Sequence, residues 1–580
     1  MSDSRTSVYD VVIMGGGPAG ATLGARIARE TKLSVAIFES EFFPRDHIGE
    51  SFVHTIVPSL QESGALPKVL ASECWVKKYG GYYAWSEHPW STYFDVALHE
   101  MDGHHRWSIH CNRPEFDQIL LDHARDSGAE VYEGHEITGV RREGDVTRIE
   151  LGANGFTHAR VFVNCSGRTG STTITGEKAF LSQYRNIAIW NHVVGARLAQ
   201  TLPGEWNIFR EKNISPIGSF AFEDGWFWFI PVPKIVQGKR MLTHSLGMVT
   251  DPHVLSRPGK RFTDPRVFME TARKVPFLGE LIADAEVVSD KFLTATNYSR
   301  ISGQMCDYDT GEIRVGDAAY FVDPLFSSGV HFALLHSGAA LALIKARFDP
   351  ALREELKRDL WLDYNGMLST IARGFCLGID QWYNEIANAH PGSIYWRLRG
   401  DTPTFAARED TFLGLVNGSV HGDLLQVITK GTNAIGLLGK DGALRRTYQV
   451  LQDKEPAASS KIQLKKNVAI KESVTLEAPP VSPEGKPVSF IHGPYWDDPM
   501  GHAHEVRELW PGPIPCHRLY FSDRENDSQV RFFESEHHGL ELIDRLRSGP
   551  QSYGELKAGL SPAQQHILLH LVLTEMVETA

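Results

Sequence analysis

A glycine-rich turn held between an apolar run and a helical stretch restricts the fold of this chain more than any other feature. Residues Tyr9 to Met14 are largely apolar, Gly15-Gly16-Gly17-Pro18-Ala19-Gly20 follow, Ala21 to Arg29 suit a helix, and Ser34 to Phe38 form a second apolar run. That order predicts a parallel βαβ unit. Gly15 permits the turn, Gly17 lets the backbone approach a pyrophosphate, and Gly20 lets the helix pack against the strand. The partial positive charge of the helix N-terminus favours phosphate beside Gly17 and Ala19. Glu39 lies nineteen residues after Gly20 and closes the second run. A carboxylate there can accept hydrogen bonds from a ribose and repels a 2′-phosphate, so the unit predicts a site for an adenosine diphosphate moiety.

Two later runs, Ala159 to Asn164 and Glu312 to Val315, read as strands that each end in a glycine-bearing turn. Such turns mark a sheet whose carboxyl ends hold a ligand. Residues 171 to 284, rich in aromatics and short alternating runs, suit an antiparallel layer over that sheet. The chain is read as α/β, with a core over residues 1–352 that includes this layer and a helical extension over 353–453, where Leu352, Leu356, Leu360 and Leu362 are placed near one face. A polar, Pro-rich linker over 454–490 and a small, mostly helical module over 491–580 complete it. In that module Leu540, Ile543 and Leu546 precede a Gly549-Pro550 break. Ser561-Pro562-Ala563-Gln564 then opens a last helix carrying Ile567, Leu568, Leu571 and Val572.

At 580 residues with a formal charge of -12, the chain is long enough to bury a cofactor and is poorly suited to nucleic acid. Cys74, Cys111, Cys165, Cys306, Cys376 and Cys516 are far apart, which suits reduced thiols. The N-terminus has no signal-peptide pattern and no segment is read as a membrane span, so a cytoplasmic protein is expected. His502 and His504 near Asp497 and Asp498, and the pairs His104-His105 and His537-His538, lack metal-site spacing; no metal is expected.

Further motifs decide between cofactors. Arg113-Pro114-Glu115-Phe116-Asp117 with Leu120-Leu121, Asn164-Cys165-Ser166-Gly167 and Val315-Gly316-Asp317-Ala318-Ala319 resemble turns of the FAD-binding superfamily that holds class A aromatic hydroxylases and flavin-dependent halogenases. Within it, Phe43-Pro44-Arg45-Asp46-His47-Ile48-Gly49-Glu50-Ser51 resembles the halogenase loop after the second strand. Trp226-Phe227-Trp228-Phe229-Ile230-Pro231 matches the halogenase Trp-x-Trp-x-Ile-Pro signature, and Asp323-Pro324-Leu325-Phe326-Ser327-Ser328-Gly329-Val330-His331 matches the flavin-edge loop. With Tyr184-Arg185-Asn186 and Trp190, the likeness is strongest to chloramphenicol- and chondrochloren-type halogenases over residues 8 to 345.

This resemblance implies a Rossmann-like FAD-binding core of class A monooxygenase type, with Asp317 on the ribityl chain, Arg113 near the flavin, and Arg45, Ser51, Pro324, Gly329 and Val330 around the cofactor. It implies chloride or bromide at the backbone amides of Ser328 and Gly329, Trp226 and Trp228 keeping substrate from the oxygen-activating flavin, and Lys78 guiding hypohalous acid. Lys77 is its immediate rival; in a strand the two point to opposite faces, so only one reaches a cavity. Reduced FAD would come from a separate NAD(P)H flavin reductase. The substrate would be an electron-rich, phenol-like natural-product intermediate, free or on an acyl or peptidyl carrier protein. Two departures matter. Phe326 stands where tryptophan halogenases have a Glu, which disfavours free tryptophan, and Asn297 stands where the chloramphenicol enzyme has an Asp bonded to its flavin, so noncovalent FAD is expected. The alternatives are an FAD-dependent aromatic hydroxylase and a catalytically idle flavoprotein that binds a carrier.

Overall fold

In the computed structural model, residues 8–397 are described apart from 54–55, 88, 94–106, 169–177, 182–183, 202–208 and 210–215, and beyond them 456–466, 468–477, 514–523, 528–533 and most of 538–579. The glycine turn joins β1 (Val8–Met14) to α1 (Pro18–Glu30), which leads to β2 (Val35–Glu39). Pro18 opens the helix at a position whose N–H has no helical partner in any case. Five strands run parallel in the order 312–314, 156–164, β1, β2, 130–133. Met14 lies beside both Phe38 and Asn164, so three strands finish level. The amides of Gly15, Cys165 and Val315 donate to Phe38, Met14 and Asn164 at 2.8, 2.8 and 3.0 Å, which brings their turns to one edge. β1 sits where the chain order reverses, the position at which open α/β sheets bind ligands.

The second layer contains β3 (Gly80–Ala84), β4 (Ile187–Val194), β5 (Ile217–Phe222), β6 (Gly225–Val236) and β7 (Lys239–Thr250), ordered β4-β7-β6-β5-β3. It is antiparallel except that β3 runs parallel to β5. It also reaches beyond the expected window of 171 to 284, taking in β3 and Trp90–Tyr93 before it and Leu293–Thr296 after it. Neighbours in a sheet are set by pairing across space, which alternation within one segment does not reveal. Trp228 is paired with Ser219 and Gly247, Gly247 with Trp190, and Ser219 with Tyr83. Side chains alternate between faces, so this row shares a face with Trp226, Ile230, Ser245 and His192. Phe227 and Phe229 point the other way; Phe227 meets Phe268 edge-on at 5.5 Å.

The chain then forms α2 (Gly329–Phe348) and α3 (Glu354–Ala389). Contrary to the sequence reading, α2 is long and apolar enough to cross a membrane, but it is largely buried inside the protein. On α3 Leu360 is buried while Leu362 is 67% exposed. Two residues along a helix are about 200° apart, so these leucines cannot share the face first assigned to them. Trp361, Tyr364, Phe375 and Tyr383 join the core that contains β1 and α1.

Residues 398–455 lie outside the described residues, as do Asp497, Asp498, His502 and His504. The stretch expected as a linker carries two strands, Lys461–Leu464 and Val468–Glu477. Lys461-Ile462-Gln463-Leu464 alternates with Ile462 and Leu464 buried, a signal masked by the polar, Pro-rich composition around it. The terminal module is mixed rather than mostly helical. Lys461–Leu464 lies between Gln551–Ser552 and Val577–Thr579, while Val468–Glu477, Ile514–Asp523 and Ser528–Phe533 form another sheet. Leu542, Ile543, Leu546, Leu568 and Leu571 fill its separate core. Ser561 and Gln564 exchange hydrogen bonds of 3.0 and 3.3 Å, a capping box.

Candidate active site

The strand ends open on a cavity of about 670 Å³ that runs from the glycine turn to the inner face of the second sheet. Gly15, Gly17, Ala19, Glu39 and Arg45 line one end. Gly20 is not among the lining residues. A Cβ on it would lie 2.0 Å from the Gly15 carbonyl, so it permits the turn and helix to pack and does not face the cavity. Glu39 accepts the Gly16 amide at 2.7 Å, which fixes its carboxylate beside the turn. Arg45 pairs with Glu41 at 3.1 Å.

Midway, Arg113 grips Asp117 through two hydrogen bonds of 2.8 and 2.9 Å and donates to the carbonyls of Ile48 and Gly49 at 2.7 and 3.1 Å. It thus anchors the loop that brings Ser51 to the cavity wall. Desolvation raises the pKa of Asp317, opposed by Arg168, Lys178 and Arg113. Burial pushes Lys178 down to about 8; its Nζ donates to the Gly167 and Arg168 carbonyls at 2.8 and 3.1 Å.

Pro324, Ser328, Gly329 and Val330 form the opposite wall. Asp323 Oδ1 accepts the Leu325 amide at 3.0 Å, the Ser327 amide closes back onto the Pro324 carbonyl at 3.0 Å, and Ser328 is the N-cap of α2. The first amides of a helix have no carbonyl of their own helix to bond, which makes this end suited to an anion.

At the far end stand Lys78, Tyr83, Ile217, Ser219, Trp226, Trp228, Ile230 and Phe326. Lys78 is 3% exposed and donates to Ser51 Oγ at 2.9 Å and the Phe52 carbonyl at 2.8 Å. Burial pushes its pKa down to about 7. Lys77 does not line the cavity; its ammonium lies over the Trp107 ring, 5.0 Å from the centroid. The indole N–H of Trp228 donates to Ser245 at 3.1 Å, that of Trp226 to Tyr383 at 3.3 Å, and the two rings lie 6.1 Å apart. Behind this lining Trp85 donates to Ser219 at 2.9 Å and meets Phe326 and Trp382 at 6.3 and 5.7 Å, which backs the aromatic wall.

The tryptophan halogenase family model matches residues 10–108 and 97–238. The flavin-dependent halogenase armH4 of Armillaria mellea is 32% identical over 366 residues, 58% of this chain and 65% of its own length. Over this region the chain is similar to flavin-dependent halogenases. A further relative from Pseudomonas fluorescens, a 1H-pyrrole-2-carbonyl-[peptidyl-carrier protein] chlorinase, is 28% identical over 466 residues, covering 75% of this chain and 94% of its own length. This chain therefore spans slightly less than two thirds of the Armillaria halogenase and nearly all of the Pseudomonas one. The solved structure of the myxobacterial chondrochloren halogenase CndH shares the fold, with a TM-score of 0.57 at 24% identity over 74% of this chain and 94% of that one.

A flavin is the cofactor that likeness to flavin-dependent halogenases implies, and the cavity fits it. Amides at the start of α1 face one end, the Glu39 carboxylate stands at the ribose position of a βαβ unit, and Asp317 sits among cations midway. Asn297 is exposed, in a left-handed conformation, and is not among the residues lining the cavity.

The sequence reading gave no part to Tyr383, Tyr83 or Ser219. Tyr83 and Ser219 share the row of Trp228 and become visible once register is known. Glu50 appeared in its loop without a role. It lines the cavity and accepts His192 Nε2 at 2.8 Å; burial raises its pKa, but His192 and Ser245 outweigh this and hold it below the usual carboxylate range.

Proposed function

We propose that this chain is an FADH2- and O2-dependent halogenase that chlorinates or brominates an electron-rich, uncharged aromatic ring of phenol-like character. The observation that carries this reading is one continuous cavity. A helix N-terminus suited to phosphate, a second suited to halide, two tethered tryptophans and a buried lysine all line it. Bound reduced flavin would supply, with oxygen and halide, hypohalous acid.

The residues of the chain do the rest. Gly15, Gly17, Ala19, Glu39, Arg45, Ser51, Arg113, Asp317 and Pro324 hold the cofactor. Gly329 and Val330 would also hold the cofactor, and the Ser328 and Gly329 amides would hold the halide. Trp226 and Trp228 form a wall that keeps the organic substrate on the far side. Lys78 then takes the halogen from hypohalous acid. The N–X bond forms as the O–X bond breaks, and the leaving hydroxide removes a proton from the amine as water. Transfer to the ring breaks the N–X bond and forms the C–X bond, and the proton lost by the ring passes to the nitrogen, which restores the amine. Burial makes the free amine available near neutral pH.

Phe326, Tyr83, Trp226 and Trp228 make the far end aromatic, which suits a flat neutral ring better than an amino acid zwitterion. The Pseudomonas relative works on a carrier-bound pyrrole; a carrier-bound substrate docked by the C-terminal module is one delivery route. Reduced FAD comes from a separate NAD(P)H flavin reductase. The test supplies reductase, NADH, FAD, oxygen and chloride or bromide to free and carrier-bound phenols and reads products by mass. Halogenated product that vanishes when halide is omitted is expected; equal turnover to a hydroxylated product without halide would overturn the reading.

A further inference from the structure

Tyr383 lies on α3, beyond the stretch whose motifs pointed to function, and its side chain is fully buried. Its hydroxyl lies 3.1 and 3.0 Å from the two Asp323 carboxylate oxygens and accepts the Trp226 indole N–H at 3.3 Å. A phenolic hydroxyl has one proton and free lone pairs, so it can donate to Asp323 and accept from Trp226 at once. Asn186 Nδ2 donates to Asp323 Oδ2 at 3.0 Å, and Asp323 Oδ1 receives the Leu325 amide at 3.0 Å. Asp323 is where the turn ending in Ser328 and Gly329 begins. Its carboxylate therefore sets that turn, and one hydroxyl on a distant helix joins the turn to the wall.

We propose that Tyr383 is a positioning residue that orients, through Asp323, the Ser328–Gly329 turn that holds halide and, through Trp226, the wall beside it. This rests on the halogenase reading of that turn. Backbone amides bind an anion well only when they converge on one point, and a turn of seven residues needs outside bonds to keep them so. Replacing the hydroxyl by hydrogen takes a donor from Asp323 and the acceptor from the Trp226 N–H while the ring remains to fill its volume. Both groups are buried and turn to recover partners, and the amides of the turn move with Asp323.

The experiment titrates the FAD-loaded full-length protein with bromide and follows the flavin absorbance difference spectrum, comparing wild type with Tyr383→Phe. Weakening of bromide affinity by about fivefold is expected, the worth of one hydrogen bond. In turnover, the bromide KM should rise by a similar factor while kcat at saturating bromide stays within about twofold. Unchanged bromide affinity overturns the proposal, as does a fall in kcat with no change in bromide KM, which marks a merely structural residue. If Tyr383→Phe does not fold, Asp323→Asn is held to the same expectation and the same refutation. Wild type that binds bromide but halogenates no phenol refutes the proposed reaction while the affinity comparison still decides the role of Tyr383. Wild type that binds no bromide overturns both.

Discussion

Two adjacent lysines show what a residue's surroundings add to its identity. Strand alternation requires that Lys77 and Lys78 part company, but only the fold shows that Lys78 turns inward to Ser51 and Phe52 while Lys77 lies over Trp107. Lys78→Ala should lower halogenated product by at least about a hundredfold, the usual scale for a missing nucleophile or acid–base group, while oxygen-dependent flavin oxidation continues. Product and flavin spectra measured in one reaction separate these; product retained in full would remove Lys78 from the chemistry. The pH dependence follows from burial. The Lys78 pKa is lowered from 10.5 to about 7, so the amine gains as pH rises through that value and the ammonium dominates below it. Halogenation should therefore rise from pH 6 to 8 about a centre near 7, read at saturating flavin and halide; a fall over that range would show that the ammonium is the working form.

At the scale of elements, the βαβ unit was legible because its signals are local: an apolar run, a glycine turn, a proline at the helix start. The second sheet was legible only as a kind of structure. Trp226, Trp228 and Ile230 announce a two-residue period along β6, yet their partners Ser219, Ser245 and Gly247 depend on which strands lie beside it. Gly247 is the sharpest example. A Cβ there would fall 2.0 Å from the Trp228 ring, so the indole lies directly over this residue. Gly247→Ala should cost about 1–3 kcal/mol in denaturant unfolding, as overpacking does, and displace Trp228 toward the cavity. Unfolding unchanged from wild type would mean that the indole already has room to move.

For the molecule as a whole, the limits of pattern reading lie toward the C-terminus. The boundary drawn at residue 352 follows a change from mixed to helical periodicity, but Trp361, Tyr364, Phe375, Tyr383 and Trp396 are buried in the same core as β1. Each buried aromatic contributes about 2 kcal/mol, and five together rival the entire stability of a domain. A chain ending at residue 352 should therefore be insoluble or unable to retain FAD when expressed; a soluble, yellow product would show that α3 is dispensable. The segment read as a linker failed for a related reason, because composition outvoted a four-residue alternation whose partners lie about ninety and more residues away. Exposure of Asn297 bears on the cofactor: acid precipitation of the FAD-loaded protein should leave the flavin in the supernatant, and flavin carried into the pellet would reveal a covalent bond.

The alternation along β6 also separates two kinds of inheritance. Residues on one side of the strand meet the cavity, and those on the other pack beneath the sheet, so the signature fixes the cavity set, Trp226, Trp228 and Ile230, and leaves the packing set, Phe227 and Phe229, at its variable positions, where only apolar bulk is required. A saturation library across Trp226 to Ile230 should sort accordingly, with changed product profiles at the even positions and lost expression at the odd ones.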